Sequence, residues 1–105
     1  MNENTMVNEN PEIVRFRDIT RRLERVNQEI ERLLERLPLD NHGEVARLDQ
    51  LINEQMRLAD TPRSRLLPPR VTVFYENAQD RASFLKRRYN QAIRNGELRK
   101  PESMG

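Results

Sequence analysis

Cysteine and tryptophan are absent from this 105-residue sequence, histidine occurs once and glycine three times. Without cysteine the chain has neither disulfide bonds nor thiolate metal ligands, and one histidine is too few for a histidine-based metal site. Three scattered glycines do not form a glycine-rich phosphate-binding loop. A serine–histidine pair would have to use His42, which falls in a predicted solvent-exposed turn. We therefore predict a protein that is not an enzyme and that has no cofactor or metal.

Long apolar runs are also missing. No segment approaches the length needed to cross a membrane, and the opening MNENTMVNEN has neither the basic nor the apolar region of a secretory signal. We expect a soluble, cytoplasmic protein without membrane contact, with residues 1–9 as a disordered polar tail. Apolar residues make up 35% of the chain and charged residues 34%. A core this small favours self-association as a further source of stability.

Charge is nearly balanced over the whole chain but is unevenly distributed along it. The net charge is +2, yet residues 1–56 carry eight cations against twelve acids, whereas residues 57–100 carry eleven cations against four acids. Seventeen of the nineteen cations are arginine, the side chain best suited to bidentate contacts with phosphate or carboxylate. The C-terminal half is therefore where we expect an anionic partner to bind.

The first predicted helix starts at Asn10, Pro11 and Glu12, which supply an N-cap, a proline at the first helical position and an acid near the positive end of the helix dipole. Apolar residues then recur at alternating spacings of three and four, the pattern of a heptad seam, until Pro38 ends the helix. Further apolar residues widen this stripe and indicate a bundle of three or four helices. The seam consists of Phe16, Ile19, Leu23, Val26, Ile30, Leu33 and Leu37.

Asn41 and Glu44 form a capping-box pattern for a second helix, which runs to about Asp60 and must lie antiparallel to the first. This hairpin over residues 10–60 is uneven, because helix one is about 40 Å long and helix two only about 28 Å. The first turns of helix one therefore need cover from helix three or from a second chain. We predict a homodimer, parallel or antiparallel, in which contacts are made by Phe16, Ile19, Leu23, Val26, Ile30 and Leu33.

Residues 61–76 contain several prolines and are predicted to be an extended connector. Within them VTVFY, residues 71–75, suits either a short strand paired with a second copy or extended chain beneath the bundle, which we prefer. A shorter, basic helix over 77–96 begins at Asn77 with Asp80 and ends before Gly96; residues 97–105 form a tail. The predicted fold is all-α, with a long coiled-coil-like hairpin and a shorter C-terminal helix in a self-associating bundle.

The stretch FLKRRYNQAIR, residues 84–94, concentrates cations and aromatic rings in this last helix. A helical wheel centres its apolar face between Leu85 and Tyr89 and turns its basic residues outward. Guanidinium groups on this outer face suit phosphates, and an aromatic ring among them suits a base or a sugar. The alternative is that Phe84 packs on the hairpin and the arginines are only solvated. The candidate binding residues are Arg81, Phe84, Arg87, Arg88, Gln91 and Arg94, which Arg99 and Lys100 would prolong.

Two further basic groups support an anionic partner. Helix one has five arginines near its start, where cations oppose the helix dipole, and we take Arg15 and Arg22 as candidate contacts. Surface ion pairs, such as Asp18 with Arg22, are the alternative. The third group lies on the predicted connector and comprises Arg57, Arg63, Arg65 and Arg70.

Two functional hypotheses follow. The first is a non-enzymatic, self-associating helical protein that binds duplex RNA or DNA through the phosphate backbone, by shape and charge. Its order of elements, a long helical hairpin and then a shorter helix, is similar to that of small dimeric duplex-RNA-binding proteins of some insect viruses, which would imply a viral protein. The second is a structural, adaptor or chaperone protein, such as a virion component or scaffold, whose helical seam binds another, acidic protein.

Overall fold

Three α-helices make up most of the residues that the computed structural model describes, which are 10–63 and 67–98. Helix α1 spans Pro11–Leu34, α2 spans His42–Ala59 and α3 spans Pro69–Arg94. No strand occurs within these two ranges. The all-α prediction is confirmed. The predicted tail 1–9, most of the tail 97–105 and residues 64–66 of the connector lie outside the described residues.

The first two helices begin where their caps predict. The Asn10 side chain accepts a hydrogen bond of 2.8 Å from the Glu12 N–H, and Asn41 accepts bonds of 2.8 and 3.1 Å from the N–H groups of Gly43 and Glu44. Each side chain thereby satisfies backbone donors that have no partner inside the helix. Helix α1 ends at Leu34, three residues before the predicted seam ends, and a turn connects it to Leu37, where the following Pro38 disfavours helical backbone.

The start of α3 corrects the sequence prediction. Helix α3 begins at Pro69, so residues 71–75 form neither a strand nor an extended connector, and Asn77 lies inside the helix rather than at its N-cap. The buried residues of α3 recur at alternating spacings of four and three residues, and Val71 and Tyr75 belong to this series. Burial of that continuous stripe outweighs the β preference of VTVFY, since strand propensity depends on what a side chain packs against. With 26 residues, α3 is the longest helix rather than a shorter one.

The helices run up, down and up. Ion pairs join Arg22 to Glu54 and Arg36 to Glu44, so residue numbers rise along α1 as they fall along α2. Residues of α1 and α3 rise together, because Phe16 packs on Tyr75 near one end and Glu31 bonds Arg81 further along. Helix α1 is therefore antiparallel to α2 and parallel to α3.

The overhanging start of α1 is covered within the chain. Phe16 and Tyr75 are both fully buried, with ring centroids 5.3 Å apart in an edge-to-face arrangement. The Tyr75 hydroxyl also donates a 2.7 Å hydrogen bond to the Leu58 carbonyl of α2. The first turns of α3, which are part of the predicted connector, thus supply the missing surface. The overhang is not a reason for self-association, which stays a prediction.

The buried stripe of α1 is shifted toward α3 relative to the predicted seam. Phe16, Leu23 and Ile30 are fully buried, whereas Ile19 and Val26 are only partly buried. Thr20 and Asn27, which directly follow Ile19 and Val26, are buried in their place. The buried residues of α1 also include Leu33 and Leu34. A helix packed against two neighbours buries a wider arc than a two-stranded seam, and polar residues of α1 therefore enter the core.

The chain after α3 is fixed back onto the bundle. Gly96 has a φ of 72°, the left-handed conformation predicted for a helix C′ residue, and Glu97 N–H bonds the Ala92 carbonyl at 2.8 Å. Leu39 N–H then bonds the Glu97 carbonyl at 2.8 Å, and both Leu39 and Leu98 are buried. This contact holds the end of α3 against the α1–α2 turn.

Candidate functional site

The second half of α3 carries charge of one sign on its outer surface. Residues 81–95 contain five cations and no acid. The same segment buries Ala82, Leu85, Tyr89 and Ala92 against the other helices. Because these residues hold one face inward, the polar residues between them must point outward. We define the α3 basic face as Arg81, Phe84, Arg87, Arg88, Gln91 and Arg94.

Arg81 stands at the edge of this face that borders α1. Its guanidinium bonds the Glu31 carboxylate of α1 and lies 6.0 Å from the centroid of the Phe84 ring. This contact is within the range of a cation–π interaction. Phe84 nevertheless remains 45% exposed, which does not favour the alternative in which its ring packs on the hairpin. The ring lies beside a guanidinium and is half open to solvent.

The other cations of the α3 basic face are not neutralised by the bundle. Arg87, Arg88 and Arg94 make no ion pair with any residue in the part of the chain that the structure describes. Together with Phe84, Asn90 and Gln91 they line one shallow surface depression. Like charges held this close repel each other, and an anion bound between them relieves that repulsion.

The two candidate residues of α1 do not join this face. Arg15 pairs with Glu12 at 3.5 Å and lies 5.6 Å from the Phe16 ring centroid. Arg22 pairs with Glu54 of α2 at 3.3 Å, rather than with Asp18, and lies in the groove between α1 and α2. Both guanidinium groups already have an acidic partner. The structure thus separates Arg15 and Arg22 from the α3 basic face.

The connector arginines are also divided. Arg57 pairs with Glu54 at 3.4 Å and Arg63 pairs with Glu76, while Arg65 lies outside the described residues. Arg70 is instead the second residue of α3 and makes no ion pair with a described residue. The third basic group of the sequence is therefore not a single surface in the part of the chain that the structure describes.

Arg70 belongs to a second depression that the sequence reading missed. This depression lies between α1 and the start of α3, and Phe74, at 55% exposure, forms part of its wall. The sequence contains a signal for this depression, because Val71 and Tyr75 extend the regular spacing of the apolar residues of α3. If the helix includes them, Phe74 lies on the helix and not in a strand. The residues that line it are Arg17, Thr20, Arg21, Glu24, Arg70, Val71 and Phe74.

Among the described residues, Tyr89 has a strongly shifted pKa, and it lies on the buried side of α3. The Tyr89 hydroxyl donates a 2.5 Å hydrogen bond to Asp49 of α2. Burial, with the hydrogen bond and the negative charge of Asp49 adding to it, raises the pKa of Tyr89 well above its ordinary value. The pair joins α2 to α3.

Residues 10–63 and 67–98 contain no cluster of three or more side chains suited to hold a metal ion. Across the same residues, no helix combines the length and apolarity that a membrane crossing requires. No protein-family model matches the chain, and comparison with curated proteins and with solved structures also finds no match. The likeness to duplex-RNA-binding proteins included a shorter third helix, which α3 is not.

Proposed function

We propose that this protein binds nucleic acid, without catalysis, by placing the α3 basic face against the phosphate backbone. The observation that carries the proposal is the state of Arg87, Arg88 and Arg94, which project from one helix surface and have no acidic partner among the described residues. Six described arginines outside the α3 basic face pair with a carboxylate, as Arg22, Arg36 and Arg47 do. Arg21, Arg25 and Arg32 of α1 also have no acidic partner among the described residues, but residues 81–95 differ in containing no acid at all.

The residue types suit phosphate. An arginine side chain presents a planar fork of donors that matches two phosphate oxygens, and Gln91 adds neutral donor and acceptor groups beside it. The face lies on a continuous helix whose inner side is packed, so its side chains are held at fixed spacing. Binding of this kind depends on charge and shape more than on base sequence.

An adaptor role through the helical seam has less support. The seam residues Phe16, Leu23 and Ile30 are fully buried within the chain and present no surface to another protein. An acidic protein bound at the α3 basic face remains the competing proposal, because carboxylates and phosphates attract the same guanidinium groups. Self-association, if it occurs, must use surfaces other than these three side chains.

The test compares two double variants with the same change in charge. Arg87→Ala with Arg88→Ala removes two cations from the α3 basic face, whereas Arg25→Ala with Arg32→Ala removes two exposed α1 cations that also have no ion-pair partner among described residues. Fluorescence anisotropy with labelled RNA and DNA measures binding, and circular dichroism checks that helicity is unchanged. We expect the α3 pair to weaken binding about five- to thirtyfold, from roughly 0.5–1 kcal/mol for each of the two exposed charge contacts.

The control pair should change binding by less than twofold. Equal losses in the two double variants would show that net charge alone attracts nucleic acid, and no measurable binding of any nucleic acid at low salt would refute the proposal. Polyglutamate serves as a second probe. If it binds more tightly than RNA and DNA of equal charge, the partner is an acidic protein.

A further inference from the structure

We infer that the nucleic acid is single-stranded, and that two of its bases stack on Phe74 and Phe84. This inference rests on the proposed function, since it names the ligand of the same surface. The two rings are half-exposed phenylalanines of α3, 55% and 45% accessible, and each stands beside arginines. Phe74 is not part of the α3 basic face, and it extends the contact toward the other end of the helix.

The two rings both lie on the outer surface of α3, about 80° apart around the helix axis. Residues at alternating spacings of four and three follow one stripe of a helix, and the stripe that contains both rings consists of Arg70, Phe74, Asn77, Arg81, Phe84, Arg88 and Gln91. All of these are exposed except Arg88, which is partly exposed. Ten residues separate the two rings, which is about 15 Å of helix at 1.5 Å per residue.

Charges on both sides fit a polyanion that passes along this stripe. Near Phe74, Arg70 of α3 and Arg21 of α1 line the same depression and make no ion pair with a described residue. Near Phe84, Arg87 and Arg88 have the same property. A strand that follows the stripe therefore meets unpaired cations at both rings, and Arg81 lies between them.

The rings select a single strand over a duplex. In a duplex each base is already stacked on its neighbours, and only its edge is accessible from a groove. In a single strand the faces of bases are free to stack on aromatic side chains, and such stacking is tolerant of sequence. Phosphate contacts alone would need no exposed phenylalanine. Two exposed rings beside unpaired cations give a single strand both stacking surfaces for its bases and charges for its phosphates.

A tryptophan reporter tests the stacking directly, because the chain has no tryptophan of its own. Phe84→Trp and Phe74→Trp keep an aromatic face at each position. Ile93→Trp is the matched control: Ile93 is 41% exposed on the same helix, and nine residues from Phe84 place it about 180° away around the axis. We expect single-stranded RNA or DNA to quench the indole fluorescence at positions 74 and 84 and to leave it nearly unchanged at position 93.

Leucine variants give the energetic test. Phe74→Leu and Phe84→Leu retain an apolar side chain without a stacking face, so each should weaken single-strand binding roughly tenfold. Duplex binding should change less than twofold, and the dependence of binding on salt should be unaltered, because no phosphate contact is removed. A short single strand and the duplex formed with its complement are the two probes.

The outcomes separate this inference from the proposed function. If Arg87→Ala with Arg88→Ala weakens binding but the leucine variants do not, or if the duplex binds as tightly as the single strand, the nucleic-acid function stands and the single-strand inference is overturned. Equal quenching at positions 74, 84 and 93 also overturns it. If neither probe binds at low salt, both proposals fail together.

Discussion

Asn27 is one of three buried polar residues in the part of the chain that the structure describes, and its side chain joins all three helices. Its amide nitrogen donates a 3.1 Å hydrogen bond to the Ala78 carbonyl of α3, and its oxygen accepts a 2.9 Å bond from the Gln55 amide of α2. Both side chains are almost fully buried, at 4% and 1% exposure. Buried polar groups are costly unless they find partners, so this pair favours the alignment in which α1, α2 and α3 meet at this level.

Truncation of Asn27 should therefore destabilise the protein more than removal of the whole pair. Asn27→Ala leaves the Gln55 amide without its acceptor, and we expect a loss of about 1–3 kcal/mol in the free energy of unfolding, apart from the cavity it leaves. Asn27→Leu with Gln55→Leu removes both polar partners and should cost less than the single Asn27→Ala change. Urea unfolding followed by circular dichroism measures both. A double variant less stable than the single one would contradict this account.

Tyr89 should make the free energy of unfolding depend on pH in alkaline solution. Its pKa is raised in the folded state by burial and by Asp49, so the folded protein holds this proton more tightly than the unfolded chain does. The stabilisation is fully present below the unfolded pKa of about 10 and is lost as pH rises above that value. Tyr89→Phe should therefore make the free energy of unfolding less dependent on pH above about 10. An equally steep alkaline loss in Tyr89→Phe and the parent protein would contradict the assignment.

At the scale of elements, local signals located helix starts and failed only where packing decides. Asn10 and Asn41 could be read from the sequence, because an N-cap acts on backbone groups two or three residues away. The start of α3 has a weaker local signal, since Pro69 stands at the first helical position but Pro68 caps the helix without any side-chain hydrogen bond. The spacing of Val71 and Tyr75 fits the buried stripe of α3, but the choice between helix and strand for VTVFY depends on their burial against α1, a contact between residues far apart in the sequence. The same error hid Phe74.

The first turns of α3 should carry much of the stability of this end of the bundle. Tyr75→Ala removes a fully buried ring that contacts Phe16 and bonds Leu58, and we expect it to cost about 3–5 kcal/mol. Phe74→Ala, one residue earlier and 55% exposed, should change stability by about 0.5 kcal/mol or less. Thermal or urea unfolding of the two variants measures the contrast. Similar losses in both would mean that these turns do not pack as described.

At the scale of the whole molecule, the core is closed by one chain. Phe16, Leu23 and Ile30, which the heptad pattern assigned to a second copy, are fully covered by α2 and α3. A heptad spacing identifies a buried stripe but does not say which helix covers it. The sequence therefore could not show whether the stripe of α1 packs on helices of the same chain or on a second copy. The outward-facing residues of α3 were easier to predict, because the wheel of one helix fixes them once its apolar face is known.

A closed core predicts that folding does not require association. The free energy of unfolding should be independent of protein concentration. Sedimentation equilibrium at the same concentrations shows whether a dimer is present. An obligate dimer would instead gain stability as the concentration rises, by mass action. A midpoint of unfolding that moves upward with concentration would show that a second chain completes the structure.

The central claim is that uncompensated arginines of α3 hold phosphates, and salt dependence tests it most directly. The logarithm of the association constant for single-stranded RNA, measured between about 50 and 200 mM salt, should fall linearly with the logarithm of salt concentration, with a slope of about −2 to −4. Arg87→Ala with Arg88→Ala should reduce the slope by about 1 to 2, whereas Arg25→Ala with Arg32→Ala should leave it unchanged. A slope near zero, or the same reduction in both double variants, would contradict the account.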